Sequence, residues 1–237
     1  MSVIDQIDSV LERIATAARK VGRDPDAVDL IAVTKTHPTA VLRQFAELAQ
    51  ERGLRAFYGE NYIQEIKAKR EELGQEFEIH LIGPLQSNKV RDAVALCDVI
   101  QSVHSRKIIE LIAKEAVRRE KRQRIFLQVN ISSDPQKSGF QKDELLEALK
   151  LAQLLNSALQ LEGLMTITAF YDLPDDARPD FKRMAQLRSQ LIKEGYASVF
   201  HAGTIRLSMG MSADFDVAIE EGADLIRVGT ALFGERT

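Results

Sequence analysis

Eight short apolar runs, seven of them clearly followed by a helix-length amphipathic segment, constrain the fold of this chain more than any other feature. They lie at residues 29–34, 55–58, 77–82, 97–102, 125–131, 161–167, 204–208 and 224–228. Apolar runs of this length between turn residues read as buried strands, and alternation with helices makes consecutive strands parallel. Eight such units close most economically into a barrel, and 237 residues fall within the usual size of one. Ahead of them, Val3, Ile7, Val10, Leu11, Ile14, Ala17 and Ala18 repeat at three and four residues, which predicts an amphipathic helix over 2–20 ending near Gly22. The expected fold is α/β, a single (β/α)8 TIM-type barrel with an extra N-terminal helix, forming one domain over residues 1–237. A doubly wound open sheet is the rival. It predicts G-x-G-x-x-G after the first strand, where this chain has Thr34-Lys35-Thr36-His37-Pro38.

Local signals place several boundaries. Gly59-Glu60-Asn61 reads as the turn after the second strand, with Asn61 capping the next helix; Ser87 and Ser105 read as further N-caps, and a helix is expected from Ser212 to 221. The basic run 118–124 reads as a solvated helix C-terminus, where cations suit the helix dipole. With a net charge of −3 it gives no case for nucleic-acid binding. Acidic residues interrupt the N-terminal apolar pattern, so neither a leader nor a membrane span is expected, and a cytoplasmic location follows. The single cysteine, Cys97, sits in an apolar run and is expected in the core. His37, His80, His104 and His201 show no metal-ligand spacing, so no metal is expected.

The chemistry gathers at the end of the chain. In barrels of this kind the site lies at the C-terminal ends of the strands, and phosphate groups are commonly held after strands seven and eight. There the sequence offers Leu207-Ser208-Met209-Gly210-Met211-Ser212 and Arg227-Val228-Gly229-Thr230. Hydroxyls, glycine backbone and an arginine at strand-to-turn junctions form two anion cups. Closure makes strand one the neighbour of strand eight, bringing Lys35 beside Arg227. Burial and a neighbouring cation disfavour an ammonium there, leaving an amine able to attack an aldehyde. A lysine that simply reaches the rim is the plainer alternative.

These motifs resemble a known family. Val33-Thr34-Lys35, Tyr58-Gly59-Glu60-Asn61-Tyr62-Ile63-Gln64-Glu65, His80-Leu81-Ile82-Gly83-Pro84-Leu85-Gln86-Ser87-Asn88-Lys89, Lys137-Ser138-Gly139, Gly163-Leu164-Met165, the 207–212 segment with Asp214, and Arg227-Val228-Gly229-Thr230 with Phe233-Gly234 are similar to the pyridoxal phosphate homeostasis proteins, relatives of the alanine racemase barrel. The resemblance implies pyridoxal 5′-phosphate (PLP) as cofactor, held on Lys35 as an internal aldimine. It makes Ser212 a hydroxyl donor to the phosphate, Gly229 and Thr230 backbone donors to it, and Arg227 the group facing the pyridine nitrogen. A guanidinium keeps its proton, so the ring stays neutral and is a poor electron sink. Asn61, His80 and Met209 are further candidates for lining the cofactor, although His80 reads equally as a core histidine and Met209 as ordinary packing. Lys137 is a candidate for receiving or passing on the cofactor, or else a rim lysine. His37 departs from the lysine that many family members carry.

The implied role is intracellular PLP homeostasis and amino-acid balance by a monomer that buffers PLP or delivers it to PLP-dependent apo-enzymes, without turnover. A slow racemase is the alternative. It needs a second base, which alanine racemases draw from an additional domain and a partner subunit, and this chain stops a few residues past the eighth strand. A Schiff-base aldolase on a sugar phosphate shares the lysine and the phosphate cup, but the motif set argues against it.

Overall fold

The computed structural model describes residues 3–132, 134 and 137–234. Its framework is a closed barrel of eight parallel strands in sequence order. These are β1 (Asp29–Val33), β2 (Phe57–Glu60), β3 (Glu78–Leu81), β4 (Val99–Val103), β5 (Gln123–Gln128), β6 (Leu159–Met165), β7 (Arg206–Met211) and β8 (Leu225–Val228). Helix α1 (Val3–Lys20) precedes them, and α2 (Thr39–Glu51), α3 (Ile63–Leu73), α4 (Val90–Leu96), α5 (Arg106–Arg118), α6 (Lys142–Leu154), α7 (Arg178–Lys193), α8 (Phe215–Glu220) and α9 (Thr230–Phe233) follow the successive strands. The predicted TIM-type barrel with an additional N-terminal helix is the fold observed. No helix among the described residues is long and apolar enough to cross a membrane.

Side-chain alternation along the strands sorts the core into two layers. Ala32, Tyr58, Ile79, Leu81, Ile100, Ile125, Leu127, Leu164, Leu207, Met209, Ile226 and Val228 face outward into the helices and join the main apolar cluster. Ile31, Phe57, Val99, Phe126, Met165 and Leu225 face inward and fill the barrel. Ile7, Val10 and Ile14 seal α1 onto this framework, each fully buried side chain contributing roughly 1.5–3 kcal/mol, so an aspartate at any one would weaken the docking of the helix. Arg13 Nε donates to Asp216 of α8 at 3.1 Å and Lys20 pairs with Glu220 at 2.7 Å, fixing its position along the barrel.

Several boundaries differ from the sequence reading. β2 continues through Gly59 and Glu60 because the Glu60 carboxylate is neutralised inside the protein: Thr34 Oγ1 and Lys69 Nζ both donate to Glu60 Oε1 at 2.5 Å. Helix α3 accordingly starts at Ile63, with Tyr62 at the cap position and no side-chain cap, so Asn61 is not its N-cap. Ser87 opens a 3-10 turn, Ser87–Lys89, that has no side-chain cap. The Ser105 cap is present, its Oγ accepting from Ile108 N at 3.4 Å. β7 runs on to Met211, and α8 begins at Phe215 rather than at Ser212.

The basic run divides rather than forming one solvated face. Arg118 and Arg119 pair with Glu115 at 3.1 and 2.8 Å. Lys121 Nζ donates to Val94 O at 2.9 Å and Arg122 Nε to Leu159 O at 3.0 Å. Arg124 turns into the barrel and binds Glu78 and Glu162. Cys97 is buried, and that burial pushes its thiol up to about 12, which suits a packing residue rather than a nucleophile.

Candidate functional site

A cavity of about 570 Å³ opens at the C-terminal ends of the strands. Its size suits a small ligand. Every strand except β4 contributes to it, either directly or through the loop that follows: Val33 and Lys35 come from β1, Asn61 from β2, Ile82 to Pro84 from β3, Gln128 from β5, Ile167 from β6, Met211 and Ser212 from β7, and Arg227, Gly229 and Thr230 from β8. Closure thus assembles one site from residues that are almost two hundred positions apart. β1 pairs with β8 in the register Ile31↔Arg227 and Ala32↔Val228. Lys35, four residues past Ile31, stands above Arg227 at the cavity mouth.

The loop carrying Lys35 is fixed on both sides. Before it, the Thr34 side chain is tied to Glu60, and Lys69 Nζ donates to Thr34 O at 2.7 Å. After it, Thr36 adopts φ 68°, a left-handed conformation that a β-branched residue holds only under constraint. The constraint is visible: Thr36 N donates to Glu65 Oε2 at 2.7 Å. Burial raises the Glu60 carboxyl, against the lowering effect of Lys69 and Thr34.

Arg227 is buried at the cavity floor, and desolvation lowers its guanidinium to about 10 while Asp214 opposes that effect. It therefore remains a cation at neutral pH. Nη1 donates to Ser208 Oγ and Nη2 to Thr166 O, both at 2.7 Å. At the other wall, Ser212 Oγ accepts from Gly229 N at 3.0 Å and from Ala231 N at 3.4 Å. Because those contacts use the oxygen as acceptor, the Ser212 proton is left to donate elsewhere. Thr230 occupies the first position of α9, where helix geometry supplies no acceptor for its N–H.

The turn leading to Ser212 depends on Gly210. Its φ is +90°, and a Cβ there would come within 2.5 Å of Ala218 Cβ. Asp214 Oδ1 accepts from Met211 N at 2.7 Å and closes the turn. Burial raises the Asp214 carboxyl, opposed by the Met211 N–H and the Arg227 charge. Over the mouth, Gln128 Nε2 donates to Ser138 O at 2.9 Å, and Lys137 Nζ donates to Thr168 O. The 137–138 segment is thereby tethered to the ends of β5 and β6. Ser133, Pro135 and Gln136 of the same predicted loop lie outside the described residues.

Lys35, Asn61, Lys137, Ser212, Arg227, Gly229 and Thr230 are thus brought together, whereas two other candidates lie away from the cavity. Met209 is fully buried in the helix-facing core, because it alternates outward on β7. His80 is inside the barrel but below the cavity, between Gln101 and Glu78. Ser208, read from sequence as part of an anion cup, is fully buried and holds Arg227 instead. Sequence reasoning missed Gln128 on the wall and Gln101 beneath it. The signal was available, since each is an amide inside an apolar strand run at an inward position. Among the described residues no group of three or more metal-ligating side chains occurs.

Comparison with known proteins gives a consistent result. Residues 6–237 match the family model for the alanine racemase N-terminal domain. A relative from Aquifex aeolicus, named pyridoxal phosphate homeostasis protein, is 37% identical over 237 residues, covering 100% of this chain and 99% of that protein. The solved structure of PipY from Synechococcus elongatus with PLP bound is 33% identical, covers 98% of this chain and 100% of that one, and superposes with a TM-score of 0.80. An alanine racemase from Clostridium difficile shares the fold at 15% identity and a TM-score of 0.69, over 95% of this chain and 59% of its own.

Proposed function

The chain belongs to the pyridoxal phosphate homeostasis protein family, built on the barrel of the alanine racemase N-terminal domain, and from that premise we propose that it binds PLP and serves intracellular PLP homeostasis. It holds the cofactor on Lys35 and buffers it or delivers it to PLP-dependent apo-enzymes, in the cytoplasm and as a monomer. Residues 1–237 act as one domain. The observation that carries this reading is the convergence of Lys35, Arg227 and the Ser212–Gly229–Thr230 cup on one cavity.

The donor set fits the group. When bound, PLP supplies an aldehyde, a pyridine nitrogen and a phosphate. Lys35 Nζ is the nucleophile for the first, on a loop whose backbone is held in place from both sides. Arg227 faces the second; it keeps its proton and so leaves the ring neutral, which disfavours carbanion chemistry. Ser212 would offer its hydroxyl proton to the phosphate and Thr230 its N–H at the start of α9, while the Gly229 N–H, which donates to Ser212 Oγ at 3.0 Å, holds that hydroxyl in place. Asn61 lines the side of the cavity beside Gly83, which passes so close that a Cβ on Gly83 would meet Asn61 O at 2.3 Å. Lys137 stands at the mouth as a second amine on the exit route.

The role as a carrier rather than an enzyme rests on the homeostasis name of the full-length relatives and on the neutral ring. The test is to incubate PLP-loaded protein with an apo PLP enzyme and, separately, with L-alanine. Reactivation of the apo-enzyme with no change in alanine chirality supports the reading. Racemisation over many turnovers, with no transfer, overturns it in favour of an enzyme.

A further inference from the structure

Beneath the cavity, a continuous file of polar side chains runs down the barrel from Arg227 at the cavity floor. Arg227 Nη1 meets Ser208 Oγ at 2.7 Å, and Ser208 Oγ meets Gln101 Oε1 at 2.6 Å. Gln101 Nε2 lies 2.8 Å from His80 Nδ1, and His80 Nε2 lies 3.1 Å from Glu78 Oε1. Glu78 Oε1 in turn receives Arg124 Nη1 at 2.7 Å, while Arg124 Nε reaches Glu162 Oε1 at 2.9 Å. Ser208 and Gln101 are fully buried, and His80 and Arg227 nearly so, so none of these four can turn to bulk water for a partner. A buried polar group left unmatched is costly, which makes the proton arrangement along the file decidable.

Start from the arginine, which can only donate. Ser208 Oγ then accepts, and its own proton goes to the amide oxygen of Gln101. The Gln101 amide nitrogen can only donate, so His80 Nδ1 must be unprotonated and its proton must sit on Nε2. Glu78 accepts that proton's hydrogen bond as a carboxylate. A lowered Glu78 pKa agrees: burial raises it, but the hydrogen bond from His80 and the hydrogen bond and charge of Arg124 outweigh that. The opposite orientation of the Gln101 amide would make both Arg227 and Gln101 donate to Ser208, leave the Ser208 proton without an acceptor in the file, and set an unprotonated His80 Nε2 against a carboxylate. One direction gives each contact from Arg227 to Glu78 one donor and one acceptor, with the donated protons pointing away from the cavity.

We infer that Ser208, Gln101 and His80 are positioning residues for the cofactor ring, forming a one-way hydrogen-bond chain that anchors Arg227 Nη1 and fixes its guanidinium plane at the cavity floor. Thr166 O anchors Nη2, so the two contacts together leave the remaining N–H directions to the ligand. This rests on the reading of Arg227 as the partner of the pyridine nitrogen; the chain itself does not.

The test reads both parts separately. Nitrogen NMR of histidine-labelled protein as purified, with the His80 signal assigned by its loss in His80→Asn, should show a neutral ring protonated at Nε2 alone. A wild-type ring protonated at Nδ1, or at both nitrogens, overturns the proposal. In Gln101→Glu, a substitution of nearly equal shape, the donor facing Nδ1 becomes an acceptor. His80 should then take a second proton, and the visible band of PLP-loaded protein should shift. Val99→Ala, which thins the neighbouring barrel filling, should leave the band in place. Ser208→Ala should weaken PLP binding roughly tenfold, the worth of one charge-assisted hydrogen bond, and it decides the matter should Gln101→Glu fail to fold. Unchanged PLP affinity and an unchanged band in Ser208→Ala overturn the positioning role. A protein that shows the Nε2 tautomer but binds no PLP overturns that role together with the functional reading, and leaves the chain as a structural element only.

Discussion

Ile31 pairs with Arg227 across the seam where β1 meets β8, and this one register sets the geometry of the whole site. It sends Arg227 to the cavity floor and puts Lys35, four residues further along β1 and its loop, at the mouth above it. A slip of one residue would turn Arg227 outward into the helices. The inward filling by Ile31, Phe57 and Leu225 excludes that slip, because it would carry apolar side chains out of the barrel and polar ones into the helix layer.

The clamp beside Lys35 should be a main stability element. In Lys69→Met, Glu60 is left inside the protein with only Thr34 as donor to its Oε1, and losing one partner of a buried pair costs about 3–5 kcal/mol. The carboxyl is already raised by burial and would rise further. Its protonated form is favoured by folding, so the deficit should be largest well above the ordinary glutamate range and should shrink as pH falls. Denaturant unfolding at several pH values checks this, and Glu60→Gln combined with Lys69→Met should recover part of the loss.

Gly210→Ala should destabilise the protein by about 2–4 kcal/mol, from a φ that L residues rarely adopt and a Cβ forced against Ala218. The double variant Gly210→Ala, Ala218→Gly removes the contact but not the backbone strain, so thermal unfolding should show partial recovery only. Because Gly210 shapes the turn that leads to Ser212, both variants should also bind PLP less tightly.

Ser212→Ala separates binding from stability. Its loss removes the proposed phosphate donor and should weaken PLP affinity about tenfold, measured by titration of the visible band. Thermal stability should change little, since the Gly229 and Ala231 N–H groups it leaves are close to the cavity and to water.

Acid should weaken the fold through the floor of the barrel. Glu78 has a folded value of about 2 against an ordinary 4.5, so its contribution is present above 4.5 and is lost as pH falls from there towards 2. Glu162 is lowered too, its Gln160 and Arg124 contacts overcoming the cost of burial. Unfolding free energy followed between pH 5 and 2 should fall steeply in wild type and more gently in Glu78→Gln.

The sequence made the barrel legible because each strand carries an apolar run and each helix a periodic stripe. Lys35 and the 227–230 segment were legible because barrel closure alone makes strands one and eight neighbours. What remained hidden depended on pairing between distant side chains. Glu60 looked like a turn residue, since nothing local announces that Lys69 and Thr34 will neutralise it within a strand. Ser208 looked like a phosphate ligand, since the alternation that turns it into the barrel depends on where β7 ends, and the strand runs past Gly210. His80 and Gln101 appeared as isolated polar residues in two separate strands. Only the closed barrel joins them into one file with Arg227.

The most direct test of the central claim is to reduce purified, PLP-supplied protein with borohydride and map the modified peptide by mass spectrometry. The account predicts a visible band that bleaches on reduction, a single pyridoxyl adduct on Lys35, and no fixed adduct at that position in a correctly folded Lys35→Ala protein. A wild-type protein that stays colourless with PLP, or an adduct on Lys137 alone with Lys35 unmodified, would contradict it.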